Sequence, residues 1–206
     1  MKAFWDQRYS QEGYAYGETP NEYFKQAIDS LTPGKILMPA DGEGRNGVYA
    51  ATLGWLVDAF DISTEGKRKA DALAGKQNVK INYLIGECST MSYAKDTFDA
   101  IGLVYAHLPA HMMSACHRQL MEYLIPGGVI IFEGYSKKHI AYQHTNPTAG
   151  GPRDVEMLFD IAQIKIDFRG IEFSYLNEEE IDLQEGEFHT GKAMVIRFFG
   201  KKKETL

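Results

Sequence analysis

The sequence predicts an α/β fold: a mostly parallel sheet of seven strands, helices on both faces, and an antiparallel ending. Three observations predict it. Short apolar runs alternate with amphipathic segments, which implies parallel strands joined by helical crossovers. The first run ends in a glycine turn that opens a helix, ILMPADGEGRNGVYA, with Gly42, Gly44 and Gly47 spaced G-x-G-x-x-G. The last two β-rich segments have no helix between them, so they pair antiparallel. At 206 residues the chain fits one domain, and no composition shift divides it, so residues 1–206 are read as a single domain.

Each element follows from its residues. Residues 4–9 and 21–31 read as helices around an aromatic, glycine-containing loop at 13–17. Residues 36–38 form the first strand and 47–53 a helix. Residues 56–60 form the second strand. Residues 64–75 form a helix with Ser63 as N-cap and Gly75 as its stop. Residues 79–85 make the third strand. The fourth, 98–104, is apolar enough to be covered on both faces. Residues 110–124 are amphipathic and helical. Pro126-Gly127-Gly128 breaks the chain before a fifth strand at 129–133. A helix begins at 155–160. Strands at 171–177 and 193–199 close the chain through an acidic stretch and a turn at 186–191. The polar segment 137–152 reads as a long loop, and such loops are commonly functional.

Composition excludes several classes. A 44% hydrophobic content supports a sizeable core, and the net charge of −6 argues against a nucleic-acid partner. No apolar run approaches the roughly 18 residues that span a bilayer, and the N-terminus has no apolar signal region. Cys88 and Cys116 stand apart, without a C-x-x-C pair. Two lone thiols and no export signal point to a reducing, cytoplasmic setting. The run Lys201-Lys202-Lys203 reads as a solvated tail.

In an open α/β sheet the ligand lies at the carboxyl ends of the strands. That rule selects Ala40 to Asn46 after the first strand, Asp61 and Ile62 after the second, and Glu87 and Cys88 after the third. After the fourth come Tyr105 and His107, and Tyr135 follows the fifth. Gly42 and Gly44 let the backbone turn and approach a ligand closely, and the next helix offers free N–H groups. Asp61 suits ribose hydroxyls, the alternative being a helix cap. Glu87 can accept from an exocyclic amine and the Cys88 amide can donate to a ring nitrogen, the alternative being a solvated loop.

These residues resemble the class I S-adenosylmethionine-dependent methyltransferases, closest in pattern to the small tellurite-resistance and thiopurine group. The resemblance covers almost the whole chain. It is carried by FWDQRY and YAYGETPNEYF, the glycine loop ADGEGRN, the acid of FDIS, IGECSTMSY, FDAIGLVYAHLP, IPGGVIIFEGY, GGPRDVEMLF and the closing EGEFHTGKAMVIRFFGKK. It implies a Rossmann-like sheet whose seventh strand inserts antiparallel between the fifth and sixth. It also implies S-adenosyl-L-methionine as cofactor and methyl transfer to a small molecule with a soft or activated sulfur, selenium, tellurium, nitrogen or oxygen acceptor. Two positions depart from the pattern: Met38 stands where the group has an acid, and Ala40 where it has its first glycine. Asp41 or Glu43 are candidates to replace that acid, and Ala40 fits wherever φ is negative.

Methyl transfer from a sulfonium asks for alignment and exclusion of water, and aromatic faces suit the cation. Trp5, Tyr9 and Tyr16 are therefore expected to contact the cofactor, with residues 1–32 as a helical cap; the alternative is packing on the sheet edge. The cofactor set is completed by Ala40, Asp41, Gly42, Gly44, Arg45, Asn46, Asp61, Ile62, Glu87, Cys88 and Tyr105. Arg45 and Asn46 suit the methionine carboxylate, although Arg45 can instead pair with Glu43. His107 and Tyr105 are the catalytic candidates, His107 as general base or polar anchor, the alternative being a satisfied structural histidine. Tyr135, His144 and Arg153 border the long loop and are the substrate-side candidates, the alternative, favoured for each, being a solvated loop. His107 and His111 are four apart with His117 near, which raises metal ligation, but Pro109 interrupts any regular helix between the first two and no Cys or carboxylate completes a set. His189 reads as structural. The rivals are a nicotinamide-dependent oxidoreductase, which shares the glycine spacing, and a non-catalytic binder of the same cofactor. Both monomer and homodimer remain open.

Overall fold

A computed structural model of the chain describes residues 1–146 and 148–204. Seven strands form one sheet: β1 (Lys35–Pro39), β2 (Leu56–Asp61), β3 (Asn82–Ile85), β4 (Phe98–Val104), β5 (Leu124–Tyr135), β6 (Ile171–Glu185) and β7 (His189–Lys202). Their order is β3-β2-β1-β4-β5-β7-β6. Pairings from β3 through β5 are parallel, and β7 runs antiparallel between β5 and β6. The helices are α1 (Lys2–Tyr9), α2 (Glu22–Ile28), α3 (Arg45–Thr52), α4 (Thr64–Lys76), α5 (Ala110–Tyr123), α6 (Ile140–Thr145) and α7 (Ile161–Asp167).

The two-residue period of the strands divides the core. Leu37, Ile101, Phe132 and Phe198 face one side and pack with Leu120 of α5 and Ile164 of α7. Ile36, Met38, Ala100 and Ile131 face the other, against Phe24 and Ile28 of α2 and Ala50 of α3. β1 and β4 are covered on both faces over most of their length, which is why they read as mostly apolar runs.

Several local expectations are corrected. Pro126-Gly127-Gly128 lies inside β5, not before it. Leu124 already pairs with Phe98, and Val129 pairs with Ala100, so the residues between them bulge out of register. The segment 155–160 gives only a 3-10 turn, Val155–Met157; the helix starts at Ile161, where the Asp160 carboxylate accepts from the Gln163 amide at 2.8 Å. The supposed loop 137–152 contains a 3-10 turn (Lys137–His139) and α6; residue 147 lies outside the described residues. β3 begins later than expected, and β6 and β7 run much longer.

The largest correction concerns the cysteines. Cys88 and Cys116 are joined by a disulfide across a sequence separation of 28. The turn after β3 and the middle of α5 pack side by side, which no short cysteine spacing could announce.

Candidate functional site

A cavity of about 590 Å³ opens at the carboxyl ends of β1 to β5, within the size range of small-molecule sites. Its floor is the loop after β1. Gly42 has φ +54°, and a Cβ there would meet the Tyr9 hydroxyl at 2.6 Å. Gly44 plays a different part: at φ +83° it begins α3, and a Cβ would strike Ala70 of α4 at 2.5 Å. Gly44 thus permits helix packing and does not line the cavity. Ala40 corrects a further expectation, since its φ is +52°, the left-handed region that favours glycine.

The acids of this loop divide their work. Glu43 accepts from Lys69 Nζ and from the Ala15 amide, each at 2.8 Å. Asp41 accepts from the Gly47 amide through Oδ2 at 3.2 Å, while its buried Oδ1 has no partner among the described residues. Burial drives the Asp41 pKa well above the ordinary carboxylate range. Met38 is fully buried against Phe24 and Gly102, outside the cavity.

Asp61 closes β2 and ties the floor to the wall. Its carboxylate accepts from the Ser63 amide at 2.8 Å and the Gly42 amide at 3.2 Å. Burial raises its pKa and those two amides pull it back. It is not the cap of α4; Ser63 is, accepting from the Gly66 amide at 3.0 Å. Glu87 precedes a 3-10 turn (Cys88–Thr90) and is exposed at the cavity edge.

The roof comes from the N-terminus. Asp6 of α1 accepts from the Ser63 hydroxyl at 2.7 Å and the Thr64 amide at 2.9 Å, seating α1 over the start of α4. Trp5 stacks on Tyr9, with ring centroids 5.4 Å apart, and Tyr16 follows edge-on. Arg45 does not pair with Glu43. It donates to Glu185 at 2.7 Å and to the Tyr16 carbonyl at 3.2 Å. Asn46 accepts from the Asn21 amide at 2.8 Å.

On the far side, Tyr105 stands at φ +51° and its ring lies 4.7 Å from that of Tyr135. Both hydroxyls are buried without a partner among the described residues, and burial raises both pKa values, so both are neutral phenols. His107 is fully engaged: Nδ1–H donates to the Met157 carbonyl at 2.8 Å, and Nε2 accepts from the Tyr135 amide at 3.1 Å. Burial pushes its pKa down to about 3. With both ring nitrogens occupied it is a wall residue, which corrects its expected role as base.

The cavity therefore brings together Trp5, Tyr9, Tyr16, Ala40, Asp41, Gly42, Arg45, Asn46, Asp61, Ile62, Glu87, Cys88, Tyr105, His107, Tyr135 and Arg153. It leaves out Gly44 and also His144, which is exposed on α6. Sequence reasoning missed His189, which lines the cavity and is buried. Its Nδ1 meets Glu185 at 3.3 Å, and its ring lies 4.3 Å from Tyr16 and 4.5 Å from Tyr105. Burial lowers its pKa to about 4, against the pull of Glu185. Only its place at the start of β7, beside the strand ends, could have signalled this. Among the described residues no three His, Cys, Asp or Glu stand together as metal ligands, and no helix is long and apolar enough to cross a membrane.

Residues 36–128 match the family model described as a methyltransferase domain. Over 109 residues, half of this chain, the sequence is 30% identical to an uncharacterized protein of Mycobacterium tuberculosis. The match spans 38% of that relative's length, and the same holds for its counterpart in Mycobacterium bovis. Among solved structures, TehB from Haemophilus influenzae is similar with a TM-score of 0.73 at 16% identity, over 98% of this chain and 67% of that one. A SAM-dependent methyltransferase from Methanosarcina mazei gives 0.68 at 16% identity, over 91% and 100%. A structure from work on conversion of a disulfide bond into a thioacetal group during echinomycin biosynthesis gives 0.75 at 16% identity, over 98% and 92%. The fold is that of these proteins.

Proposed function

We propose that the chain is an S-adenosyl-L-methionine-dependent methyltransferase acting on a small molecule. The observation that carries this is the single cavity bordered at once by the glycine floor, by Asp61 after β2, and by Glu87 and Cys88 after β3, inside the segment that matches a methyltransferase domain. The residues fit the cofactor. Asp61 suits the ribose, while Ile62, Glu87 and the Cys88 amide suit the adenine. Arg45 and Asn46 suit the methionine carboxylate. Asp41 Oδ1, buried and unpartnered, is the group available for the methionine ammonium, since Met38 cannot take it and Glu43 is held by Lys69. A buried acceptor without a partner costs about 1–3 kcal/mol, so a bound ammonium would relieve a standing penalty.

When bound, the cofactor supplies an activated methyl on a sulfonium. The protein's part is to align the acceptor and keep water out. Trp5, Tyr9 and Tyr16 cover that end, and residues 1–32 act as the cap. Tyr105, Tyr135, His189 and Arg153 border the acceptor side. None of the histidines or tyrosines there is a strong base at neutral pH: His107 and His189 titrate near 3 and 4, and both phenols stay protonated. With both His107 ring nitrogens occupied, this reading favours acceptors that bring their own nucleophilicity, soft or readily deprotonated atoms: sulfur, selenium, tellurium, or activated nitrogen or oxygen.

Calorimetry with S-adenosylhomocysteine and with NAD tests the cofactor. Binding of the first and not the second is expected; the reverse would sink the proposal in favour of a dehydrogenase. A methyl-transfer screen over thiols, selenite and tellurite tests the acceptor. Binding of S-adenosylhomocysteine with no transfer to any acceptor would favour a non-catalytic binder.

A further inference from the structure

We propose that the Cys88–Cys116 disulfide is a redox-responsive lock on the adenine end of the cavity; this rests on the cofactor reading above. The bond joins two walls of one site. Cys88 opens the 3-10 turn that leaves β3 and itself lines the cavity. Cys116 lies in the middle of α5, whose entry residues Pro109 and Met112 also line the cavity. Both cysteines are buried, at 3% and 4% exposure, and their sulfurs are bonded.

The turn needs such a tie. Among the described residues β3 is an edge strand, hydrogen-bonded to β2 alone, and the Gly86 amide, donating to the Asp61 carbonyl at 2.9 Å, is the last ladder bond before the turn. Glu87, Ser89 and Thr90 around it are exposed. Beyond the disulfide, α5 holds the turn by polar bonds to one carbonyl: Gln119 Nε2 donates to Met91 O at 2.8 Å and Tyr123 Oη donates to it at 3.0 Å. Those bonds anchor the far end of the turn. The near end, where Glu87 and Cys88 line the cavity, is fixed to α5 by the sulfur bridge. Breaking the bridge loosens this end while the anchors keep the segment folded.

The chemistry is thiol–disulfide exchange with a dithiol reductant. One reductant thiolate attacks Cys88 or Cys116 sulfur, the other cysteine leaves as thiolate and takes a proton, and the second reductant thiol resolves the mixed disulfide. Two electrons and two protons enter the protein, and the reductant leaves as its own disulfide. Cys88 borders the cavity, so a bound cofactor screens the bond. By linkage, if the bond tightens cofactor binding, the cofactor must favour the bonded form by the same factor.

The test uses the whole chain, oxidised with glutathione disulfide or reduced with dithiothreitol, and titrates each form with S-adenosylhomocysteine. Thiol blocking and mass measurement establish the state of the bond. Reduction is expected to weaken binding at least fivefold and to raise hydrogen exchange at residues 86–90. Cys116→Ser should bind like the reduced form and ignore dithiothreitol. Equal affinities with unchanged exchange in the two states would overturn the lock, as would two free thiols after oxidation. Binding to neither form would instead sink the cofactor reading, and unchanged exchange on reduction would still decide against the lock.

Discussion

Ala40 holds a backbone conformation that its side chain opposes. A left-handed φ costs an ordinary residue about 1–2 kcal/mol, and glycine escapes that at an entropic cost of about 0.5–1 kcal/mol. Ala40→Gly should therefore raise stability by about 0.5–1 kcal/mol in urea denaturation, whereas Ala40→Val should lower it. A second residue-scale prediction concerns acid. His107 and His189 titrate near 3 and 4 when folded, below the ordinary histidine value of about 6.5. Protons then favour the unfolded chain, so the stability these two contribute is full above pH 6.5 and is lost as pH falls through about 4 for His189 and about 3 for His107. Asp41 and Asp61, raised by burial, work in the opposite sense. The histidine share is read by difference: the melting temperature of His107→Gln relative to the parent should rise as pH falls from 7 to 5, and an unchanged difference would contradict the assignment. Asp61→Ala should weaken S-adenosylhomocysteine binding by about 1.5–3 kcal/mol in calorimetry, the worth of a charge-assisted bond.

At the scale of elements, the sequence is most legible where one segment decides its own structure. β1 and β4 announce themselves as apolar runs because both faces are covered, and Ser63 announces α4 because capping is local. Legibility fails where a partner is remote. α6 hides in a polar stretch because its shape is held by tertiary bonds, such as Gln143 donating to the Gly150 and Pro152 carbonyls at 2.6 and 3.1 Å. The extra length of β6 comes from pairing with β7, from Ile171–Lys202 to Glu185–His189 with one shift of register between Phe173 and Tyr175. The disulfide is invisible for the same reason. Closing a loop with a separation of 28 is worth about 3.5 kcal/mol on the chain-entropy account. Cys116→Ser should lose about that much in chemical denaturation against the oxidised protein, and nothing against the reduced one. Asp6→Ala removes the acceptor that seats α1 on α4; limited proteolysis should then cut within residues 1–20 well before the rest of the chain.

Over the whole molecule, the site is built by groups that never meet in sequence. Asn21 Nδ2 donates to Glu133 at 2.7 Å and to Glu185 at 2.9 Å, Arg45 pairs with Glu185, and Arg197 pairs with Glu133. This network joins the N-terminal segment, the first glycine-loop helix, the sheet centre and the final hairpin. The strand-end rule could place Arg45 and Asn46 but not their partners, because it knows one element at a time. Glu133 is fully buried, and its carboxylate oxygens are met by Asn21 and Arg197. Removing one partner of a buried pair leaves an uncompensated charge and costs about 3–5 kcal/mol, while removing both charges costs less. Arg197→Met should therefore destabilise the chain by about that amount in urea, and adding Glu133→Gln to it should recover part of the loss. A double-mutant cycle measures the coupling directly. If Arg197→Met alone stays within about 1 kcal/mol of the parent, the pair is acting as a solvated surface contact, and the hairpin is held to the sheet by β-pairing and apolar packing instead.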